Sequence, residues 1–200
     1  MKGSLIIVAF FVVGVIFGRA GWLEIGPSGF DVSFFALAAL MFCVGISVGS
    51  DLTTLRSLRQ LSPRLLLLPL VTICGTLSGC AILSLFMPAR SITEVMAVGS
   101  GFGYYSLSSI FITEYKGPEL GTVALLANIA REIITLLGAP LLAWLSGPLA
   151  PISSGGATTM DTTLPIISKV SGSRFVILSI YHGFTVDFCV PFLVTFLCSI

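Results

Sequence analysis

The sequence predicts an all-α integral membrane protein of about seven transmembrane segments, two of them discontinuous or re-entrant. Three observations point there. Of 200 residues, 56% are hydrophobic and only 10% charged, and the mean hydropathy of +1.07 lies far outside the range of soluble chains. Apolar runs long enough to cross a hydrocarbon core of roughly 30 Å recur along the chain. Two stretches rich in glycine, hydroxyl residues and proline interrupt them and do not read as ordinary spans. A net charge of +1, carried by dispersed basic residues, argues against a nucleic-acid or acidic partner and informs topology instead. Cys43, Cys74, Cys80, Cys189 and Cys198 all fall in apolar segments without the close pairs of zinc sites, so they read as small core residues, with no metal or cofactor implied.

Taken in order, Leu5 to Phe17 is a short apolar run behind Lys2. It has the outline of a signal peptide, but Phe17-Gly18-Arg19-Ala20-Gly21 is a poor cleavage site and Trp22 resembles an interfacial anchor, so it is read as a retained span. A second span covers about Val32 to Val48. Arg56, Arg59 and Arg64 against Asp51 make the next loop the most basic in the chain, which the positive-inside rule places in the cytoplasm together with the N-terminus. The third span, Leu65 to Met87, begins near Pro69, ends at Pro88, and carries Gly75, Ser78 and Gly79 for close packing.

Segment four, about Ile92 to Thr113, holds Gly99, Gly101 and Gly103, followed by Tyr104, Tyr105 and Ser106. Alternate positions do not share a helix face and each glycine weakens a helix by about 1 kcal/mol, so a break at membrane depth is expected, with close helix packing as the bland alternative. Glu114 to Glu119 then reads as a short cytoplasmic turn, with Glu114 either a gate or a surface charge.

Leu120 to Leu145 is the organising segment, because Asn128, Arg131 and Glu132 sit in its middle. Such residues cost a few kcal/mol each near the midplane unless paired or facing a wet cavity. Asn128 and Glu132 share a face, with Arg131 about 100° from Glu132. A structural ion pair of Arg131 with Glu132 or Asp161 is one reading; ligand binding is the other. Gly147 to Pro151 reads as an external turn. The stretch from Gly155 and Gly156 through Thr158, Thr159 and Asp161 to Pro165 is too polar and short for a span, and Pro165 is expected to disrupt a helix there. Lys169 and Arg174 follow as inside charges. The last span, Phe175 to Ile200, carries His182 and Asp187, about 140° apart on a regular helix and so not expected to pair.

Two interrupted segments flanking a helix with midplane polar residues suit a secondary transporter, because broken helices offer N-termini to carboxylates and carbonyls to cations. Glu132 and Asp161 are candidates for binding an ammonium or exchanging a proton; Arg131 is a candidate for a substrate carboxylate, or for keeping one acid ionised.

Several blocks, in order, are more specific. The run Gly99-Ser100-Gly101-Phe102-Gly103-Tyr104-Tyr105-Ser106-Leu107-Ser108, then Glu114, Gly117-Pro118, Asn128-Ile129-Ala130-Arg131-Glu132, Gly156 to Pro165, and His182-Gly183-Phe184 resemble the bacterial lysine exporter family (LysO), matching its C-terminal two-thirds. The resemblance implies a multi-pass inner-membrane exporter of L-lysine and its analogue thialysine, driven by proton exchange, with the inverted repeats and crossed discontinuous helices of the cation/proton antiporter and bile-acid transporter group. It singles out Glu132 and Asp161; Asn128, Arg131, Tyr104, Tyr105, Ser106, Thr158, Thr159, Glu114 and His182 are further candidates for substrate or ion binding on the reading of the residues themselves. It also implies a division into a three-span scaffold repeat, 1–90, and a transport region with broken helices, 91–200. Typical members carry an extra three-span piece before the part matched here. That difference raises the expectation of a small three-span membrane subunit, or of a homodimer.

Alternatives are a carrier of the same fold for another ion or organic acid, a non-transporting assembly subunit, and an intramembrane enzyme using Asp161 with Asp187 or a nucleophile aided by His182. No protease motif is present, and the reading is non-enzymatic.

Overall fold

The computed structural model describes residues 63–200, together with Ile16 and Arg19, and every element below lies within one compact unit, Gly45–Ile200. The expected spans at Leu5 to Phe17 and Val32 to Val48, the cytoplasmic N-terminus and the Arg56 and Arg59 loop lie outside the described residues.

The described chain is entirely helical. Three stretches are long and apolar enough to cross a membrane: Pro63–Ser84, Pro118–Ser146 and Ser173–Ser199, with mean hydropathies of 2.1, 1.6 and 1.6. The first comprises α1 (Pro63–Leu66) and α2 (Leu68–Ser84). A turn leads to α3 (Ile92–Gly99), which opens on a capping box: the Glu94 N–H donates to Ser91 Oγ (3.2 Å) and the Ser91 N–H donates to Glu94 Oε2 (3.0 Å). After a break comes α4 (Tyr105–Lys116), then the 29-residue α5 (Pro118–Ser146), which starts on a proline at its first position. The chain continues through α6 (Ala150–Gly155), a 3₁₀ turn (Gly156–Met160), α7 (Leu164–Ser171), a second 3₁₀ turn (Ser173–Phe175) and α8 (Val176–Ser199). Of the three long stretches, the one containing α8 is the most buried, and it packs against α3, α4 and the first 3₁₀ turn.

The short helices pair into two hairpins that enter from opposite ends of the bundle. Arg90, just before α3, makes an ion pair with Glu119, just after α4. Both ends of the α3–α4 segment therefore lie at one surface, and its middle dips inward to Gly99, which packs on Thr76 and Cys80 of α2. An exposed pair of this kind adds little stability, but it fixes the path of the chain. At the other end, Arg64, Leu65, Ser146, Pro148, Leu149, Arg174 and Phe175 line one cleft. The entry to α6 and the exit from α7 are thus together, beside the start of α1. An apolar core of Leu68, Ile152, Ile167 and Leu178 ties α2, α6, α7 and α8 at that end.

This path corrects two expectations. Segment four does not run through the bundle from end to end; it folds back at its break, so everything after it changes end relative to Arg64. Gly147 to Pro151, read as external, shares an end with Arg64, whereas Glu114 to Glu119, read as cytoplasmic, lies at the opposite end. Arg174 does lie beside Arg64. In an otherwise cysteine-free chain, Ser146→Cys and Ser173→Cys are expected to react with an impermeant maleimide from one side of the membrane and Glu114→Cys from the other; labelling of all three from one side is the contrary result.

Pro165 also behaves otherwise than expected. It occupies the first turn of α7, where a missing N–H costs nothing, so it starts a helix instead of disrupting one. The interruption lies before it, between Gly156 and Thr163.

Candidate functional site

The hairpin tips meet inside the bundle. In the first, Gly99 ends α3 and the chain reverses through Gly101, Phe102 and Gly103 before Tyr104 caps α4. Phe102 is fully buried and has φ +46, and Gly103 has φ +91. A left-handed phenylalanine costs of order 1–3 kcal/mol and persists only where its surroundings hold it. In the second, Gly155 ends α6 and Gly156, at φ +63, begins the 3₁₀ turn. The two tips are joined directly, the Ala157 N–H donating to Phe102 O at 2.9 Å.

Helix α5 latches both tips. The Asn128 amide is fully engaged with backbone: Oδ1 accepts from the Gly103 N–H (2.8 Å), and Nδ2 donates to Val98 O (3.1 Å) and Ala124 O (2.9 Å). Arg131 turns the other way. Its Nε donates to Ser154 O (2.8 Å) and Nη2 to Ser153 O (3.0 Å), Nη1 lies 3.5 Å from Thr76 Oγ1, and the guanidinium sits 5.3 Å from the centre of the Phe102 ring. It therefore satisfies two carbonyls near the C-terminus of α6, where a cation also complements the helix dipole, and stacks on the first tip. Thr135 reinforces the contact through Ser154 Oγ (2.7 Å). Among the described residues the only ion pair is Arg90 with Glu119, so Arg131 bridges neither Glu132 nor Asp161.

Asn128→Leu is expected to leave the Gly103 N–H and Val98 O unpaired at depth, destabilising the protein by about 2–4 kcal/mol. A lowered midpoint in detergent unfolding of the purified protein checks this; an unchanged midpoint contradicts it.

The hydroxyls of the second tip are likewise occupied. Thr158 Oγ1 donates to Gly155 O (2.9 Å) and lies 3.2 Å from Thr163 Oγ1. Thr159 Oγ1 is 2.9 Å from Ser179 O and 2.8 Å from Gly156 O. His182, fully buried on α8, sits between Thr72 Oγ1 (2.9 Å from Nε2) and Thr159 Oγ1 (3.3 Å from Nδ1). With the Thr159 proton given to a carbonyl, Nδ1 donates to Thr159 and Nε2 accepts from Thr72, the one donor and one acceptor of a neutral imidazole. His182 thus braces α2 and α8 against the second tip, and it does not pair with Asp187.

The acids remain. Glu132, half-buried beside Arg131, and Asp161, exposed at the end of the 3₁₀ turn, have no basic partner among the described residues; Asp161 Oδ1 accepts only from the N–H of Thr162. Tyr104 is half-buried, and Tyr105 and Ser106 are exposed at the start of α4. Glu114 is not part of this cluster. It is exposed near the far end of α4, about 13 Å along the helix from Tyr105. The sequence reading put Asn128, Arg131 and Glu132 together as ligand candidates and left out Asp187; in the structure the first two hold backbone, whereas Asp187 is buried on α8. Its signal was an acid alone in an apolar helix.

Long apolar helices around two inward-reaching hairpins, with acids near their tips that no described base pairs, define a multi-pass helical membrane protein of transporter type. The chain belongs to the lysine exporter LysO family, whose model matches residues 8–198, a family of exporters and not of enzymes. It is 34% identical over 185 residues to the lysine exporter LysO of Escherichia coli (strain K12), covering 92% of this chain and 60% of that protein. It is 32% identical over 190 residues to a putative lysine exporter of Haemophilus influenzae, covering 94% of each. The chain thus spans about three-fifths of the E. coli relative's length. No solved structure matches it significantly.

Proposed function

We propose that this chain exports L-lysine, or a closely related cationic amino acid such as thialysine, across the bacterial inner membrane in exchange for protons. One observation carries the reading: among the described residues neither Glu132, on α5 next to Arg131, nor Asp161, at the end of the second tip, has a basic partner, and Arg131 is engaged with carbonyls. Acids left in that state favour a cationic passenger. The start of α4, with no side-chain cap, presents free N–H groups beside Tyr104, Tyr105 and Ser106, which suits the passenger's carboxylate. The engagement of Arg131 with carbonyls disfavours the organic-acid alternative, because a dianion would need that guanidinium free. The names of the two relatives point to the same cargo.

Two hairpins from opposite ends, each between long helices, also fit the inverted-repeat, alternating-access plan, with residues 1–90 as scaffold and 91–200 as the moving transport region. With the basic Arg64 loop inside, the second hairpin opens from the cytoplasm and the first from outside. A small three-span membrane subunit or a second copy of the chain completes the assembly in this reading; full activity of a solitary monomer would remove that part of it.

The test is radiolabelled flux in proteoliposomes. Lysine is expected to be carried in preference to a dicarboxylate, with arginine and ornithine as the discriminating competitors. Flux of the dicarboxylate alone would overturn the assignment.

A further inference from the structure

Asp187 is the one buried acid among the described residues, and the reading above leaves it without a task. It is only 7% exposed, on the α8 face that meets the second tip. One turn earlier on that face is Gly183, where a Cβ would lie 2.6 Å from Met160 N and 2.8 Å from Ala157 O. A residue four further on stands directly above it. Asp187 therefore sits over the end of the 3₁₀ turn, where Asp161 begins the return toward α7. Asp161 follows Met160, against which Gly183 packs, and Tyr104 follows Gly103, where an added Cβ would lie 3.2 Å from Thr158 Cγ2, so the three side chains start from adjoining backbone.

Two further features point to a ligand. Asp187 makes no side-chain hydrogen bond to any described residue, although every buried neighbour with a polar side chain at the tips has one. Nor is Asp187 wholly closed off: it keeps 7% of its surface accessible, whereas His182 and Thr159 keep none. The other titratable groups near α8 lie elsewhere. Lys116 and Glu94 are close to Cys198 at its far end, and His182 is committed to Thr72 and Thr159. Two carboxylates rooted on adjoining backbone, Asp187 buried and Asp161 at the exposed rim, make a position that attracts a positive charge.

We propose that Asp187 and Asp161, with the Tyr104 hydroxyl beside them, form a cation site that holds a single positive charge, either a proton or a primary ammonium of the cargo. This rests on the transport reading and deepens it: Glu132 on α5 and the Asp161–Asp187 pair become two separate anionic positions, as a passenger with two ammonium groups requires.

The experiment is calorimetric titration of L-lysine into the full chain in lipid nanodiscs, in two buffers of different ionisation enthalpy, so that affinity and protons released are read together. Asp187→Asn is expected to weaken lysine binding about tenfold or more. Release of about one proton per lysine in the unsubstituted protein, lost in the variant, identifies proton–ammonium exchange at the pair; loss of affinity without proton release in either identifies the ammonium alone. Unchanged affinity and proton count in Asp187→Asn would overturn the assignment while leaving the transport reading intact, whereas an unsubstituted chain that binds no cationic amino acid would overturn the transport reading itself. A second measurement does not depend on the variant folding: a hydrophobic carbodiimide is expected to modify Asp187 in the unsubstituted chain, more slowly when lysine is present. Labelling at Asp187 that ignores lysine would contradict the site.

Discussion

Glu132→Gln and Asp161→Asn are each expected to lower lysine flux in proteoliposomes by about a hundredfold or more, while the purified proteins keep their unfolding midpoints. The asymmetry follows from the hydrogen bonding. Neither carboxylate holds a helix or a tip in place: the ties that do so run through Asn128, Arg131, Thr159 and His182. Removing a negative charge that no described basic group pairs with breaks no tie in the resting structure, so stability stays level. What is lost is attraction for the passenger. Variants that fold and carry lysine at the unsubstituted rate would show that these acids are not part of the pathway.

Gly156→Ala is expected to do the reverse, destabilising the protein by about 2 kcal/mol or more and abolishing transport through structure. Gly156 has φ +63, where an L side chain is strained, and a Cβ there would run into Phe102 O and lie 3.0 Å from Phe102 C. Phe102 O is the same carbonyl that accepts the Ala157 N–H and joins the tips. Relief would require the hairpins to part, breaking that bond and loosening the Phe102 ring from Arg131. Gly138→Ala is the control. It lies within α5, nothing stands within 4 Å of the added carbon, and the expected effect is a gain of up to about 1 kcal/mol from helix propensity. Equal unfolding midpoints for the two variants would contradict the close approach of the tips.

The helical membrane class was legible because hydrocarbon thickness sets a length and composition that Pro118–Ser146 and Ser173–Ser199 satisfy unaided. Both interruptions were legible too, since glycine at Gly99, Gly101 and Gly103 and at Gly155 and Gly156 weakens a helix whatever surrounds it. Whether the chain goes on or turns back after a break is another matter. That choice is made by contacts far apart in sequence, Asn128 with Gly103 and Arg90 with Glu119, and no local propensity encodes them. The missed reversal is what put Gly147 and Glu114 at the wrong ends relative to Arg64. The same limit explains the sorting of Asn128, Arg131 and Glu132: a midplane polar residue announces that it needs a partner, but not whether that partner is backbone or cargo. Pro165 shows the ambiguity in miniature, because proline before a helix and proline within one look alike until the first helical residue is known.

The account turns on unpaired acids near two opposed hairpin tips exchanging a proton for a cationic amino acid. The most direct measurement is the internal pH of vesicles holding the purified chain and a pH-sensitive dye, followed as an outward lysine gradient is imposed. Proton movement opposite to lysine, absent in Glu132→Gln and Asp161→Asn, is the result expected. Lysine movement with no proton counterflow, or counterflow that survives both substitutions, would contradict it.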